Sequence, residues 1–342
     1  MRIAVAALAV ASAGACARSP DEAEALAAHW LESRQSDDGA FRSPAYGVLR
    51  AGLSTTALVA AALDATPGPL PARYRVAIEK ALGFLGRAAE DEAASDYPNY
   101  TAALRLRVLG TRRPDAWRVS ADRIVARLRA VQCGEARGVA RSSDEHGGFD
   151  LGATTVALPQ GAAAPDLSTT AWVCEGLRAV DVAADDPLLA DARAFALRCS
   201  TPDGGFSFFP PSPHRPGKAG DGIAYGTATA DGLRALIACG VPRDDPRVLA
   251  ARRWLEARGD PSRVPGFDDA HAAFADGLRA YWLASAALAL RAAGGTPALR
   301  DAVRSEAACL LRGDGSWANP SSLMKEDDPL VATSLLLFAL AR

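Results

Sequence analysis

Apolar residues along this chain fall into two alternating kinds of segment. One kind is rich in Ala and Leu on nearly every face: "TALVAAAL" from Thr56, "AALRLRVL" from Ala102, "TAWVCEGL" from Thr170, "TADGLRAL" from Thr229, "LASAALAL" from Leu283 and "TSLLLFAL" from Thr333. Each ends in Leu seven positions after its start. A helix apolar all round is a buried helix. Ahead of each stands a segment with an apolar stripe and a polar face. In "EAEALAAHWLESR", Ala25, Leu26, His29, Trp30 and Ser33 share one side, and "VAIEKALGFLGRA", "ADRIVARLRAVQ", "LLADARAFALRC", "RVLAARRWLEAR" and "RDAVRSEAACLL" behave alike. Patterning at period 3.6 with one wet face predicts helices packed on one side only. No segment alternates at period two over a useful length, so strands are not expected.

The links between the paired helices repeat a phrase: "DDGAF", "DGGFSFF" and "DGSWANP". Gly after Asp suits a helix end and a tight turn at positive φ, and the aromatic that follows packs over the turn. Ser and Thr at the start of the buried helices cap free N–H groups. The repeating unit is outer helix, Gly-rich turn, inner helix. Six such units with a buried inner set predict closure: an all-α, (α/α)6 toroid with the inner helices as a barrel and the outer ones around it. The longest insertions, at 134–165 and 207–224, fall between outer and inner helices, at the end where the phrases lie. The Pro- and Gly-rich run from Phe208 to Gly222 reads as a long surface loop.

Arg2, the apolar stretch Ile3–Ala13, and the small residues Ala13, Gly14 and Ala15 before Cys16 read as an export signal over 1–15 ending in a lipobox-like site. The expected organisation is signal peptide 1–15, lipidated segment 16–21 starting at an acylated Cys16, and one toroid domain over 22–342. The expected location is the periplasmic face of a bacterial membrane, in an outer-membrane lipoprotein. An apolar stretch that short does not span a bilayer. Of the remaining cysteines, Cys174 and Cys239 sit in apolar helical stretches and read as small buried residues.

Composition narrows the partners. With 38 Lys and Arg against 40 Asp and Glu, the net charge is −2, which argues against nucleic acid. Lys80, Lys218 and Lys325 are the only lysines. No Cys or His spacing suggests a metal, and no cofactor is expected. His271 with Asp268 and Asp269 reads as a polar surface loop.

The repeats resemble those of the terpenoid cyclase and protein prenyltransferase β-subunit superfamily. Gln35, Gly39 and Phe41 match the Gln-x3-Gly-x-Trp/Phe repeat of squalene–hopene cyclases, and the likeness extends over essentially the whole mature chain. It implies the toroid and leaves activity open. In prenyltransferases of this superfamily, zinc is held by Asp, Cys and His. Here Asp221 is present, Ile223 or Ala224 stands in the Cys position and Trp282 in the His position. In the class II cyclases the middle Asp of D-x-D-D protonates an alkene, and no D-x-D-D occurs here. The weak acidic candidates are Asp166, Glu326, Asp327 and Asp328. Asp328 before Pro329 also has the pattern of a helix N-cap with Pro in the first turn.

Trp172, Tyr225, Tyr281 and Trp282 lie on or beside inner helices and are the candidate lining of an apolar cavity. The leading expectation is a lipoprotein toroid holding a hydrophobic small molecule or lipid, isoprenoid-like by family resemblance. The alternatives are a divergent enzyme, either cyclase- or prenyltransferase-related or glycan-processing, that uses acids at the cavity mouth, and a protein-interaction scaffold. With 6% aromatic residues, many of them in the turns, the sugar-binding platforms a glycosidase needs are scarce.

Overall fold

The structure, a computed structural model, describes residues 18–88, 97–152, 164–212, 215, 217–258 and 260–342. The candidate lipidation site Cys16 lies outside them. Thirteen α-helices occur among the described residues: α1 (Pro20–Glu32), α2 (Leu53–Asp64), α3 (Ala72–Arg87), α4 (Pro98–Arg112), α5 (Trp117–Val131), α6 (Leu167–Ala179), α7 (Pro187–Arg198), α8 (Gly226–Ala238), α9 (Pro246–Ala257), the single turn-and-a-half α10 (Ala272–Gly277), α11 (Arg279–Ala293), α12 (Pro297–Leu310) and α13 (Pro329–Leu340). Extended pairing among the described residues is limited to isolated bridges such as Phe149 with Asp166.

The six buried segments are α2, α4, α6, α8, α11 and α13. Each packs on the next, and α13 packs back on α2, so the inner circle closes. The outer helices cover the seams, with α7 against α6 and α8, α12 against α11 and α13, and α1 against α12 and α13. Helix α1 starts two residues ahead of the expected domain boundary. Ser19 accepts from the Glu22 N–H while the Glu22 carboxylate accepts from the Ser19 N–H, a capping box completed by Pro20 in the first turn.

The repeated phrase performs one job in several units. Its glycine has φ of +93° at Gly39, +86° at Gly147, +87° at Gly204 and +89° at Gly315. A Cβ there would come within 2.3 Å of the Lys80 carbonyl oxygen, 2.1 Å of that of Asp191 and 2.5 Å of that of Leu26, for Gly39, Gly147 and Gly315 respectively. Each of these carbonyls belongs to the outer helix of the following unit, and Gly315 of the last unit rests on α1 of the first. The aromatic two residues on is buried, and its N–H donates to the Thr at the start of its own inner helix: Phe41 to Thr56 (2.8 Å), Phe149 to Thr170 (3.0 Å), Phe206 to Thr229 (3.1 Å) and Trp317 to Thr333 (2.9 Å). Glycine thus joins a unit to its neighbour and the aromatic joins the turn to its inner helix.

Connection 258–278, with α10, is a third long excursion that the repeat spacing does not reveal. At the far end of the barrel, Arg291 donates to the Ala341 and Phe338 carbonyls (2.6 and 2.9 Å) and Arg304 to that of Leu340 (2.8 Å), satisfying the C-terminus of α13. Among the described residues no helix is long and apolar enough to cross a membrane.

Candidate functional site

The inner helices all begin at one rim, and a cavity of about 1170 Å³ opens there. Its wall takes residues from the first turns of all six: Ser54 of α2, Tyr100 of α4, Ser168 of α6, Thr227 of α8, Tyr281 of α11 and Val331 of α13. Leu58, Leu104, Trp172 and Leu335, about one turn deeper, are apolar. Residues 137 and 150–152, 208–209 with 215 and 218, and 323–326, all in connections between helices, build the mouth.

Under this wall lies a chain of polar side chains on helices otherwise apolar. Arg234 of α8 is 1% exposed and donates to both oxygens of Glu175 on α6 (2.8 and 2.7 Å), to Asp231 (2.8 Å) and to Ser285 of α11 (3.2 Å). Its guanidinium also lies 4.2 Å from the Trp172 ring centroid. Asp231 accepts from the Ser285 hydroxyl (2.5 Å) and the Tyr281 hydroxyl (3.0 Å). Tyr281 in turn bonds Ser168, which bonds Tyr100, and Trp172 Nε1 donates to Tyr281 (3.2 Å). Burial raises the Asp231 carboxyl above its ordinary range although Arg234, Ser285 and Tyr281 pull the other way. Burial also pushes on Glu175, but Arg234 and Arg107 outweigh it and hold that carboxyl below its usual value.

Of the acidic candidates, Asp166 and Glu326 line the cavity, whereas Asp327 and Asp328 do not. Asp166 is the N-cap of α6 and accepts from the Thr169 N–H (2.8 Å) and hydroxyl (2.9 Å); burial pushes it up to about 6. Glu326 caps α11 from across the mouth, accepting from Ala280 N (2.8 Å), Tyr281 N (2.8 Å) and Asn319 (3.0 Å), and burial pushes it up to about 7. Asp327 accepts from the Tyr46 hydroxyl (2.5 Å). Asp328 caps α13, accepting from Leu330 N (2.8 Å) and the Ser43 hydroxyl, with Pro329 in the first turn. Three acids adjacent in sequence are therefore split among three separate tasks.

Trp172, Tyr225 and Tyr281 line the cavity. Trp282 does not: it is one helical step, roughly 100°, from Tyr281, and its ring packs on Gly226, where a Cβ would stand 2.9 Å away. His271 pairs with Asp268 (2.6 Å) on the surface, and among the described residues no three His, Cys, Asp or Glu side chains converge to hold a metal.

Sequence reasoning missed Glu175, Asp231 and Arg234. The signal was present, since each is a formal charge inside a helix read as buried on nearly all faces.

No protein-family model and no curated protein matches the chain. Solved structures do. The apo type II terpene cyclase MstE from Scytonema is similar at a TM-score of 0.58 and 15% identity, over 94% of this chain and 97% of that one. A variant of that cyclase in complex with geranylgeranyl dihydroxybenzoate is similar at 0.57 and 15%, over 94% and 96%. An inactive variant of the α-1,6-mannanase GH76A of Salegentibacter sp., in complex with α-1,6-mannotriose, is similar at 0.59 and 9%, over 94% and 99%. At such identities the likeness is one of fold. The chain has the α/α toroid of the terpenoid cyclase-like proteins, a fold that this mannanase shares.

Proposed function

We propose that the protein binds a hydrophobic, isoprenoid-sized molecule inside its toroid. The observation that carries this reading is the cavity of about 1170 Å³, apolar over most of its wall and open at one rim. Ligand sites typically run from about 300 to 1,000 Å³, so this one holds a long-chain molecule without rearrangement. The cyclase relative whose complex contains geranylgeranyl dihydroxybenzoate supports the size class.

Binding is favoured over alkene protonation by the state of the acids. A carboxyl that protonates an alkene must be neutral and free to donate. Among the described residues, the carboxyls facing the cavity, Asp150, Asp166, Asp231 and Glu326, each already accept from an N–H, a guanidinium or a hydroxyl. The exposed large apolar side chains Val76, Val119, Ile223 and Leu323 stand on four different elements, which gives a scaffold role little to work with. We further propose, from the sequence of the first 16 residues, that the protein is exported and anchored by a lipidated Cys16, which would deliver it to a membrane where such ligands dissolve.

The test is native mass spectrometry with organic extraction of the protein purified from its own membrane under mild detergent. A stoichiometric isoprenoid or other long-chain molecule in the extract is expected. A protein that comes through empty, and that binds no long-chain probe when titrated, would sink the proposal. The intact mass of the same sample reports the acyl group on Cys16.

A further inference from the structure

Residues 208, 209, 215 and 218 line the cavity mouth from the connection between α7 and α8. Within it Gly217 and Gly220 exchange backbone hydrogen bonds (3.0 and 3.1 Å), closing a tight turn with Lys218 and Ala219 at its corner; Gly220 takes φ +108°. Corner residues of such a turn ordinarily face water. Here Ala219 is buried and Lys218 lies inward, its Nζ 3.1 Å from the Phe208 ring centroid and on the cavity wall. Arg215, three residues earlier, stands 3.6 Å over Phe209 and lines the same wall. The two Phe rings pack edge to face at 4.5 Å.

The charges facing the cavity are not all paired in contact. Asp150 takes Arg137 (2.9 Å), Asp231 takes Arg234, Asp166 takes Thr169, and Glu326 takes two backbone N–H groups and Asn319. Lys218 and Arg215 form no ion pair within 4 Å among the described residues, nor does Lys325 across the mouth, which lies 5.7 Å from the Tyr46 and Tyr97 ring centroids. A ring face compensates a cation only weakly, far less than the solvation lost by an ammonium or guanidinium facing an apolar space. Lys218 and Arg215 thus have no carboxylate in contact, Asp166 acting on both only at longer range, and below them the wall turns apolar at Leu104, Trp172 and Leu335.

We infer that the ligand is an acidic amphiphile: its anionic head, carboxylate or phosphate, sits on Lys218 and Arg215 at the mouth, and its apolar tail runs down the barrel. This rests on the cavity being a ligand site, as proposed above. It adds a sign of charge and an orientation that an apolar cavity alone does not require. A planar fork and a point charge side by side suit an oxyanion.

The probes are four molecules with one tail: hexadecanol, hexadecanoate, hexadecyl phosphate and hexadecyltrimethylammonium, titrated into the full-length protein and followed by Trp fluorescence. At least one acid should bind ten-fold or more tighter than the alcohol, with the ammonium weakest. A preference for hexadecanoate points to a free fatty or isoprenoid acid, and one for hexadecyl phosphate to a phospholipid-type or prenyl phosphate head. Lys218→Met, which keeps the stem and drops the charge, should erase the difference between acid and alcohol, and Arg215→Gln should narrow it. Circular dichroism confirms that both variants fold. If alcohol and acids bind equally and Lys218→Met changes nothing, the anionic head is refuted and the apolar cavity site survives. If no probe binds, both fall.

Discussion

Replacing Arg234 by Met removes the cation that touches both Asp231 and Glu175, and leaves a side chain of similar reach. Arg234 donates four hydrogen bonds to the two carboxylates and Ser285 and lies on the Trp172 face, at 1% exposure. Breaking a buried pair by removing one partner costs about 3–5 kcal/mol. Glu175 retains Arg107 at 3.3 Å, and Asp231 retains Ser285 and Tyr281, which places the loss near the lower end, about 3 kcal/mol. The assay is urea unfolding followed by circular dichroism at several pH values. With the guanidinium gone, both carboxyls hold protons more tightly when folded than when unfolded, so the gap to the parent protein should be small in acid and widen as pH rises to neutral. The triple variant Arg234→Met, Asp231→Leu, Glu175→Leu should recover to within about 1 kcal/mol of the parent or exceed it. If Arg234→Met costs under about 1 kcal/mol at neutral pH, the charges are not dry and the reasoning fails. If the triple variant is stable but no longer binds a long-chain probe, the network is kept for the cavity floor rather than for stability.

Three further outcomes follow from the same geometry. Glu326 is pushed up to about 7 from 4.5 by burial, so the stability it contributes is complete below about pH 4.5 and lost as pH rises through 7. Glu326→Gln should flatten the pH dependence of unfolding by about 3 kcal/mol across that window, and an unchanged slope would mean the carboxyl is ionised throughout. Gly147→Ala should destabilise by at least about 2 kcal/mol, because φ is +86° and the added Cβ meets the Asp191 carbonyl oxygen at 2.1 Å, whereas the same change at Gly86, where a Cβ meets nothing, should be neutral or stabilising. Cys133, Cys174, Cys199 and Cys239 are buried and Cys309 is exposed, so maleimide treatment of the folded protein should label Cys309 alone of these five; peptide mapping that finds Cys174 or Cys239 modified would contradict their packing, Sγ to Sγ, at 3.5 Å.

Much of this architecture is legible one helix at a time. The all-round apolar segments became the inner barrel, and the striped ones became its cover. Asp328 ahead of Pro329 is a helix cap because capping requires only a side chain and the next two N–H groups. The repeated Gly at positive φ and its aromatic were readable as a turn, but not as the joint between units, since the carbonyl that excludes a Cβ at Gly147 lies in α7, more than forty residues on.

The cavity chemistry was not legible, for a different reason. Tyr281 and Trp282 look interchangeable in sequence, and only the rotation of α11 against α8 decides that Tyr281 faces the cavity while Trp282 packs on Gly226. Glu175, Asp231 and Arg234 read as anomalies in apolar helices until α6, α8 and α11 stand side by side. Lys218 reads as a loop lysine until the Gly217–Gly220 turn aims it inward.

By itself, then, the sequence determined the helices, their inner and outer roles and their sixfold repetition, because periodicity, caps and turns act over a few residues. The tertiary structure alone decided which side chains share the central space and with what balance of charge, because closing the circle fixes the rotation of each helix and brings together groups that no local interaction connects.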